Sequence, residues 1–368
     1  MKDVIVIGAG VAGLVLAREL ARLGIIAKVY DSKKAVGDGA SKASGIISTE
    51  GIAATGISYE GCIVNTLDGA TFHSGRSRLR VKAGSVRAYV VDRALLAEEC
   101  LREAESAGAE IELGRRLSRD DISGLVHDRS NIVVGADGAV STVASSCGFP
   151  PIREFVMTYK AEYDGAGIPD SHSVELFFAS GVSNRFFGWT APYSSEILEA
   201  GIGISSFARM SSAAAFNSFV AGTDVHRMLD GSRQMSGHAS VIPLSTRGRT
   251  VKENVLLVGD AAGQVKATTG GGIVFGSACA RVAARCISDH IRRGLPLSRY
   301  EREWRRSYGL DLAMHRALHS LYSSIGESNL GLLFRLSKLL GSESFLSAYG
   351  DMDRPSLMLR RFFLRSRA

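Results

Sequence analysis

Apolar positions along this chain follow two patterns. Short unbroken runs, Val4 to Ile7, Val133-Val134 and Val255 to Val258, are bounded by turn residues and read as buried strands, and Ala27 to Tyr30, interrupted by Lys28, reads as another strand. The three unbroken runs lead into small or glycine-rich turns and then into segments with helical spacing: to about Leu23 after the first, a short helix after Ser141, and about Gly276 to Arg292 after the last. That succession predicts an α/β domain. A further strand over Tyr89 to Arg93 leads into a helix from Ala94 to about Ala107. Between Ile152 and about Ile242 the pattern changes to alternation, as in Ser173 to Phe178 and Ala200 to Phe207, which predicts antiparallel strands with one covered face. Beyond Arg292 the chain turns helical through Leu340, and Leu318, Leu321, Tyr322 and Ile325 keep a spacing that predicts inward packing.

The glycines give the first strand a chemical reading. Gly8, Gly10 and Gly13 supply G-x-G-x-x-G at the start of the first helix, and Asp31 closes the second strand. Gly8 makes the tight turn, Gly10 removes a side chain where a pyrophosphate must approach, and Gly13 lets helix and strand pack closely. The positive end of the helix faces the phosphates, and Asp31 is placed to accept from a ribose 2′-OH. NAD(P) fits this unit as well as FAD. Further along, Gly259-Asp260-Ala261-Ala262 and Thr269-Gly270-Gly271-Gly272-Ile273 place an acid and three glycines before another helix, where backbone amides approach a polar ligand. Arg93, at a helix start where the dipole disfavours a cation, is either solvated or faces an anion.

Length and composition set the class. With 368 residues and 45% hydrophobic content, the chain can bury a large core and divide into two or three units. No uncharged apolar run reaches about 18 residues, so no transmembrane helix is expected. The apolar Val4 strand carries the glycine motif and lacks a cleavage site, which argues against a secretory segment. Five cysteines without C-x-x-C predict reduced thiols, a cytoplasmic protein and no zinc site. Net charge is +7, with Arg354, Arg360, Arg361, Arg365 and Arg367 interleaved with Leu357, Phe362, Phe363 and Leu364 near the end. Such a tail suits either an anionic membrane surface or packing on the body, and no nucleic-acid-binding fold accompanies the charge.

Taken in order, these pieces resemble the flavoprotein class typified by aromatic hydroxylases, and within it the geranylgeranyl reductase family of archaeal lipid synthesis. The glycine-rich segments at 259–262 and 269–273 carry the resemblance. So does Phe187-Gly188-Trp189-Thr190-Ala191-Pro192, similar to the family's Tyr-x-Trp-x-x-Pro pattern, and Tyr300, Glu301 and Trp304 look like its carboxy-terminal helix. The resemblance implies a Rossmann-like FAD-binding domain over 1–60, 85–150 and 250–292. It also implies an interleaved antiparallel-sheet substrate domain over 61–84 and 151–249, and a helical C-terminal region over 293–368.

It further implies FAD as cofactor, held by Gly8, Gly10, Ala12, Gly13, Asp31, Ser44, Gly45, Arg93, Asp137, Asp260, Gly271, Gly272 and Ile273. Phe187, Trp189 and Pro192 would face an isoprenoid lipid, with no metal involved. The implied reaction is reduction of isolated C=C bonds in geranylgeranyl chains of archaeal-type phospholipids, with NAD(P)H or ferredoxin as electron donor and peripheral contact with the membrane. One departure stands out. Many relatives carry a cysteine in the loop that here reads Lys42-Ala43-Ser44-Gly45, which leaves Ser44 as the candidate catalytic hydroxyl. Two other functions share the frame: a flavin monooxygenase acting on an aromatic or quinone, and a flavin or lipid carrier without turnover. A halogenase is disfavoured, because Trp189 lacks the second tryptophan and the isoleucine-proline expected beside it.

Overall fold

A computed structural model of the chain describes residues 2–39, 44–178, 183, 185–358 and 360. Six strands lie side by side in the order Val251–Lys252, Val255–Leu257, Ile132–Gly135, Val4–Ile7, Ala27–Tyr30 and Glu110–Glu112. All pairings are parallel except the first. Val4, Val6, Val133, Val134 and Leu256 are fully buried, as parallel strands covered on both faces require. Helix Val11–Arg22 crosses one face, packed against Ile273–Arg293 and Arg93–Ser106.

The long helix begins at Ile273, ahead of the expected Gly276, so the glycine triplet runs directly into it. Gly276 then lies inside the helix. A Cβ there would sit 3.4 Å from the Cα of Gly259 and 3.5 Å from the Cβ of Ala12, a contact that only small residues permit.

The second sheet has seven strands, ordered Arg233–Pro243, Phe155–Asp164, Ile197–Ser205, Gly188–Pro192, Ser173–Phe177, Gly69–Ser74 and Ser77–Lys82. It departs from the sequence reading in two ways. Ser173–Phe177 pairs with Gly69–Ser74 in parallel, which the long excursion between them through the first sheet allows. The Ile197–Ser205 strand is also covered on both faces rather than one. Ala200, Ile202 and Ile204 pack beneath Phe216 and Phe219 of helix Ser212–Gly222, while Gly201 lies under the ring of Trp189 and Gly203 under Phe186. A small third sheet, Ile46–Ser48, Ala88–Val91 and Ile63–Leu67, links the two larger ones.

The carboxy-terminal part forms helices Arg299–Trp304, Leu310–Ser324, Glu327–Leu339 and Ser342–Tyr349, the first two joined through a π turn at Arg305–Gly309. The expected inward stripe packs only in part, with Tyr322 against Phe178 and His319, and Ile325 half-buried. Leu318 and Leu321 are exposed, and the buried side of Leu310–Ser324 is Asp311, Leu312, His315 and His319. Polar partners on the body outcompete apolar spacing there. Among the described residues no helix is long and apolar enough to cross a membrane. The last eight residues of the basic tail lie outside the described residues, and Arg354 is held by its Nε to Asp311 at 3.3 Å.

Candidate active site

Three loops distant in sequence meet at the carboxyl ends of the parallel strands. Gly8 has φ +112°, and a Cβ on it would lie 2.3 Å from the carbonyl oxygen of Ala136; one on Gly13 would lie 2.0 Å from that of Gly8. A Cβ on Gly259 would touch Ala12, and one on Gly272 would come within 2.6 Å of the Asp260 carboxylate. Gly45 is pressed against the Val91 carbonyl and accepts the Val91 N–H at 3.0 Å, which sets Ser44 beside the strand that leads to Arg93. Gly10 differs from its neighbours: a Cβ there would meet nothing within 4 Å. The turn leaves room at that position alone.

Helix starts differ across the fold, and those at Val225, Arg299, Leu310, Glu327 and Ser342 lack a side-chain cap. Among the described residues five helices begin on a side-chain cap, from Ser48, Asp92, Ser118, Ser141 and Ser211. The helices that start at Val11 and Ile273 begin instead on Gly10 and Gly272, with no side-chain cap. Their first amides stay unpaired and point positive, which suits an anionic ligand.

Arg93 and Asp260 carry the charge here. Both lie deep in the protein while keeping part of their surface accessible, and neither forms an ion pair among the described residues. Burial pulls the Arg93 guanidinium below its ordinary pKa against the opposing charge of Asp260, and burial pushes the Asp260 carboxyl up against Arg93. The Nε of Arg93 is buried without an acceptor. A buried orphan donor on a cation marks a place for an anion. Orphaned donor, uncapped helix starts and the gap at Gly10 together fit a dinucleotide diphosphate.

Asp31 and Asp137 have local duties. Asp31 accepts from the Ala9 N–H at 2.7 Å and the Lys33 N–H at 2.8 Å, which closes the first glycine turn and leaves further lone pairs for a ligand hydroxyl. Asp137 is committed to Ser141 Oγ at 2.6 Å and to the Val143 N–H at 3.0 Å, so its carboxylate caps the short helix Thr142–Ser146. Tyr300 and Trp304 support the site from outside. Tyr300 donates to the Leu257 carbonyl and accepts from Gln264, whose Oε1 holds the Gly259 N–H, and Trp304 Nε1 donates to Thr250.

Facing the loops from the seven-stranded sheet is a polar group the sequence reading missed. Glu199 is buried and accepts on Oε1 from Trp189 Nε1 at 2.8 Å and from the Ser44 hydroxyl, and on Oε2 from Lys160 Nζ at 2.6 Å. Lys160 also reaches Glu162 at 3.0 Å. Burial alone would lower the Lys160 pKa, but Glu199 and Glu162 more than offset it and hold the ammonium charged. The signal was present as a lone glutamate inside the otherwise apolar Ile197–Ser205 strand. Phe187 and Trp189 lie on one side, rings 6.2 Å apart, and Phe187 stacks on Phe186 at 4.3 Å. Pro192 ends the strand, its carbonyl accepting from Asn65 Nδ2 at 2.9 Å.

A second buried cluster clamps the glycine triplet. Lys266 lies against Gly271 and pairs with Asp353 at 2.5 Å; Asp353 also takes the Ser48 hydroxyl. His315 joins it, with Nε2 donating to the Asp353 carbonyl at 3.0 Å and Nδ1 accepting from Thr268 at 2.7 Å. Burial raises the Asp353 carboxyl, and Lys266 and Ser48 more than reverse that. Cys62, the thiol nearest in sequence to the loop at 42–45, is buried and held protonated by desolvation.

Known proteins match this architecture. No protein-family model matches the chain. An uncharacterized protein of Methanocaldococcus jannaschii is 24% identical over 374 residues, covering 96% of this chain and 92% of that one. Digeranylgeranylglycerophospholipid reductase 2 of Methanothermobacter thermautotrophicus is 27% identical over 384 residues, 97% of each chain. Among solved structures, a geranylgeranyl bacteriochlorophyll reductase-like protein from Thermoplasma acidophilum superposes with a TM-score of 0.79 at 17% identity, covering 91% of this chain and 90% of that one. A flavin-dependent brominase superposes with a TM-score of 0.72 at 13% identity, covering 100% and 99%. Over nearly its whole length, therefore, the chain is similar in sequence to the digeranylgeranylglycerophospholipid reductases, and it has the fold of flavin-dependent enzymes.

Proposed function

We propose that this chain is an FAD-dependent reductase that saturates C=C bonds in the geranylgeranyl chains of archaeal-type phospholipids. The observation that carries the reading is the meeting of two surfaces. A set of uncapped helix starts and an orphaned arginine fits a dinucleotide, and it is joined through Ser44 to a sheet face walled by Trp189, Phe187 and Phe186. The similarity to digeranylgeranylglycerophospholipid reductases supports the substrate class.

In this reading the Gly8–Gly13 turn and Arg93 hold the diphosphate, Asp31 holds the ribose, and Asp260 with Gly271, Gly272 and Ile273 holds the ring end. Asp137 acts indirectly by fixing its turn. Bound FAD, once reduced by NAD(P)H or ferredoxin, supplies the hydride. The chain's own residues do the rest. Phe186, Phe187 and Trp189 orient an apolar chain and exclude water, which an isolated alkene with no polar handle requires. Each saturated bond also takes up one proton. Ser44 Oγ, bonded to the buried Glu199 carboxylate, is the hydroxyl through which a proton moves, with Lys160 holding the opposite carboxylate oxygen in place.

The visible spectrum of the purified protein tests the cofactor. Anaerobic incubation of the reduced protein with a geranylgeranyl lipid, followed by mass spectrometry, tests the reaction. Stepwise gain of two hydrogens is the expected result; gain of oxygen in air would establish a monooxygenase, and an unchanged lipid would leave a carrier.

A further inference from the structure

Two carboxy-terminal helices are built inside out for a protein surface. In Leu310–Ser324 the side turned to the body carries Asp311, His315 and His319, while Leu310, Leu318 and Leu321 face outward. In the next helix and its cap, Leu332, Leu333, Leu336, Leu339 and Leu340 are between 46% and 86% exposed. At about 100° per residue these five occupy one side, with Arg335 about 40° beyond its edge and Lys338 on the far side near Phe334. Arg335 forms no ion pair among the described residues, and Lys338 reaches only Glu343, at 3.7 Å.

The inner side of the same helix leads toward the active site. Phe334 packs on Phe72 and Phe178, with ring centres 6.4 and 6.2 Å apart. Phe178 touches Tyr322 at 5.5 Å and Phe187 at 5.8 Å, and Phe187 touches Trp189. A cavity of about 200 Å³ opens beside these rings, lined by Phe178, Phe186, Tyr322 and Leu330 among others. Ring-to-ring contacts thus run without a break from the leucine-bearing helix to the residue that bonds Glu199.

We propose that the leucine face of residues 332–340 seats in an anionic lipid bilayer, with Arg335 against the headgroups, and that the prenyl chain passes from the bilayer along these rings to Trp189. The proposal rests on the lipid-reductase reading and names where that enzyme takes its substrate. Charge selects the occupant. A second copy would bring the same cations and the same net charge of +7 against the face, whereas an anionic bilayer complements both the leucines and the basic edge. This puts the membrane contact on helix Glu327–Leu339, which helix Ser342–Tyr349 separates from the basic tail expected from composition.

Sedimentation of the full-length protein with phosphatidylglycerol vesicles, and with phosphatidylcholine vesicles as the uncharged control, tests the surface without substrate. The expected result is strong preference for the anionic vesicles. L332S/L336S/L339S and R335E should each weaken that binding by about tenfold or more, and deletion of residues 361–368 should leave most of it. Both substituted proteins should still reduce detergent-dispersed lipid while losing turnover on vesicles. Binding equal to wild type in both variants would overturn the proposal. So would binding lost only on tail deletion, or light scattering in which the leucine substitutions convert a dimer to a monomer with vesicle binding intact. If the wild-type protein binds vesicles but reduces no lipid in detergent, the reductase reading fails while the surface stands.

Discussion

Lys160 Nζ sits 2.6 Å from Glu199 Oε2, and each side chain is only 4% exposed, so the pair forms a buried ion pair on adjacent strands directly behind Ser44 and Trp189. Removing one member of such a pair leaves the other charge uncompensated, and Glu162 at 3.0 Å from Lys160 softens the loss. Glu199→Gln should therefore destabilise the protein toward the lower end of about 3–5 kcal/mol, measured by urea unfolding. It should also slow lipid reduction while FAD binding persists. Loss of FAD along with activity would make Glu199 a support for the fold and remove it from the proton path.

Gly10 and Gly8 should separate folding from cofactor binding. A Cβ on Gly10 meets open space, and the residue has φ −76°, which alanine adopts freely. Gly10→Ala should keep the melting temperature of the FAD-free protein and lose FAD. Gly8→Ala forces a Cβ to 2.3 Å from a carbonyl oxygen at φ +112° and should lower the melting temperature itself. A Gly10→Ala protein that still purifies yellow would place the diphosphate elsewhere.

Arg93 offers the converse test. Its buried Nε has no acceptor, so the cation is costly in the protein without ligand. Arg93→Met should weaken FAD binding by roughly 10- to 100-fold, the worth of a hydrogen bond to a charged group, without lowering the stability of the FAD-free protein. Asp260→Ala should likewise reduce retained FAD while leaving the fold intact. Fluorescence titration of the apoprotein with FAD, beside thermal melts, reads both outcomes.

The clamp around Asp353 should respond to acid. Burial holds the His315 imidazole below its ordinary value of 6.5, so the unfolded chain takes up a proton there that the folded one refuses. Stability is therefore full above the unfolded value and falls as pH drops below about 6.5. His319 is also lowered by burial and adds in the same direction. Asp353, held low by Lys266 and Ser48, contributes stability above the ordinary carboxylate value, lost as pH falls through its lowered one. Melting temperatures should decline in two stages on acidification, and His315→Gln should flatten the first. An unchanged first stage in that variant would assign it to other groups.

The parts legible in the sequence were those set by neighbours along the chain. Gly8, Gly10 and Gly13, the buried strands at Val4–Ile7 and Val255–Leu257, and the glycine triplet before Ile273 are local patterns, because a turn or helix start is decided within a few residues. Helical spacing failed at Leu318 and Leu321, since spacing defines a stripe without saying which side the body takes, and Asp311, His315 and His319 found their partners there. Only the tertiary structure decided that Ser44 meets Glu199 across 155 positions, that Lys266 meets Asp353 across 87, and that Arg93 lies within reach of Asp260. Those meetings depend on how two sheets and a C-terminal helical segment close on one another, and buried charges have no periodicity by which a sequence could announce them.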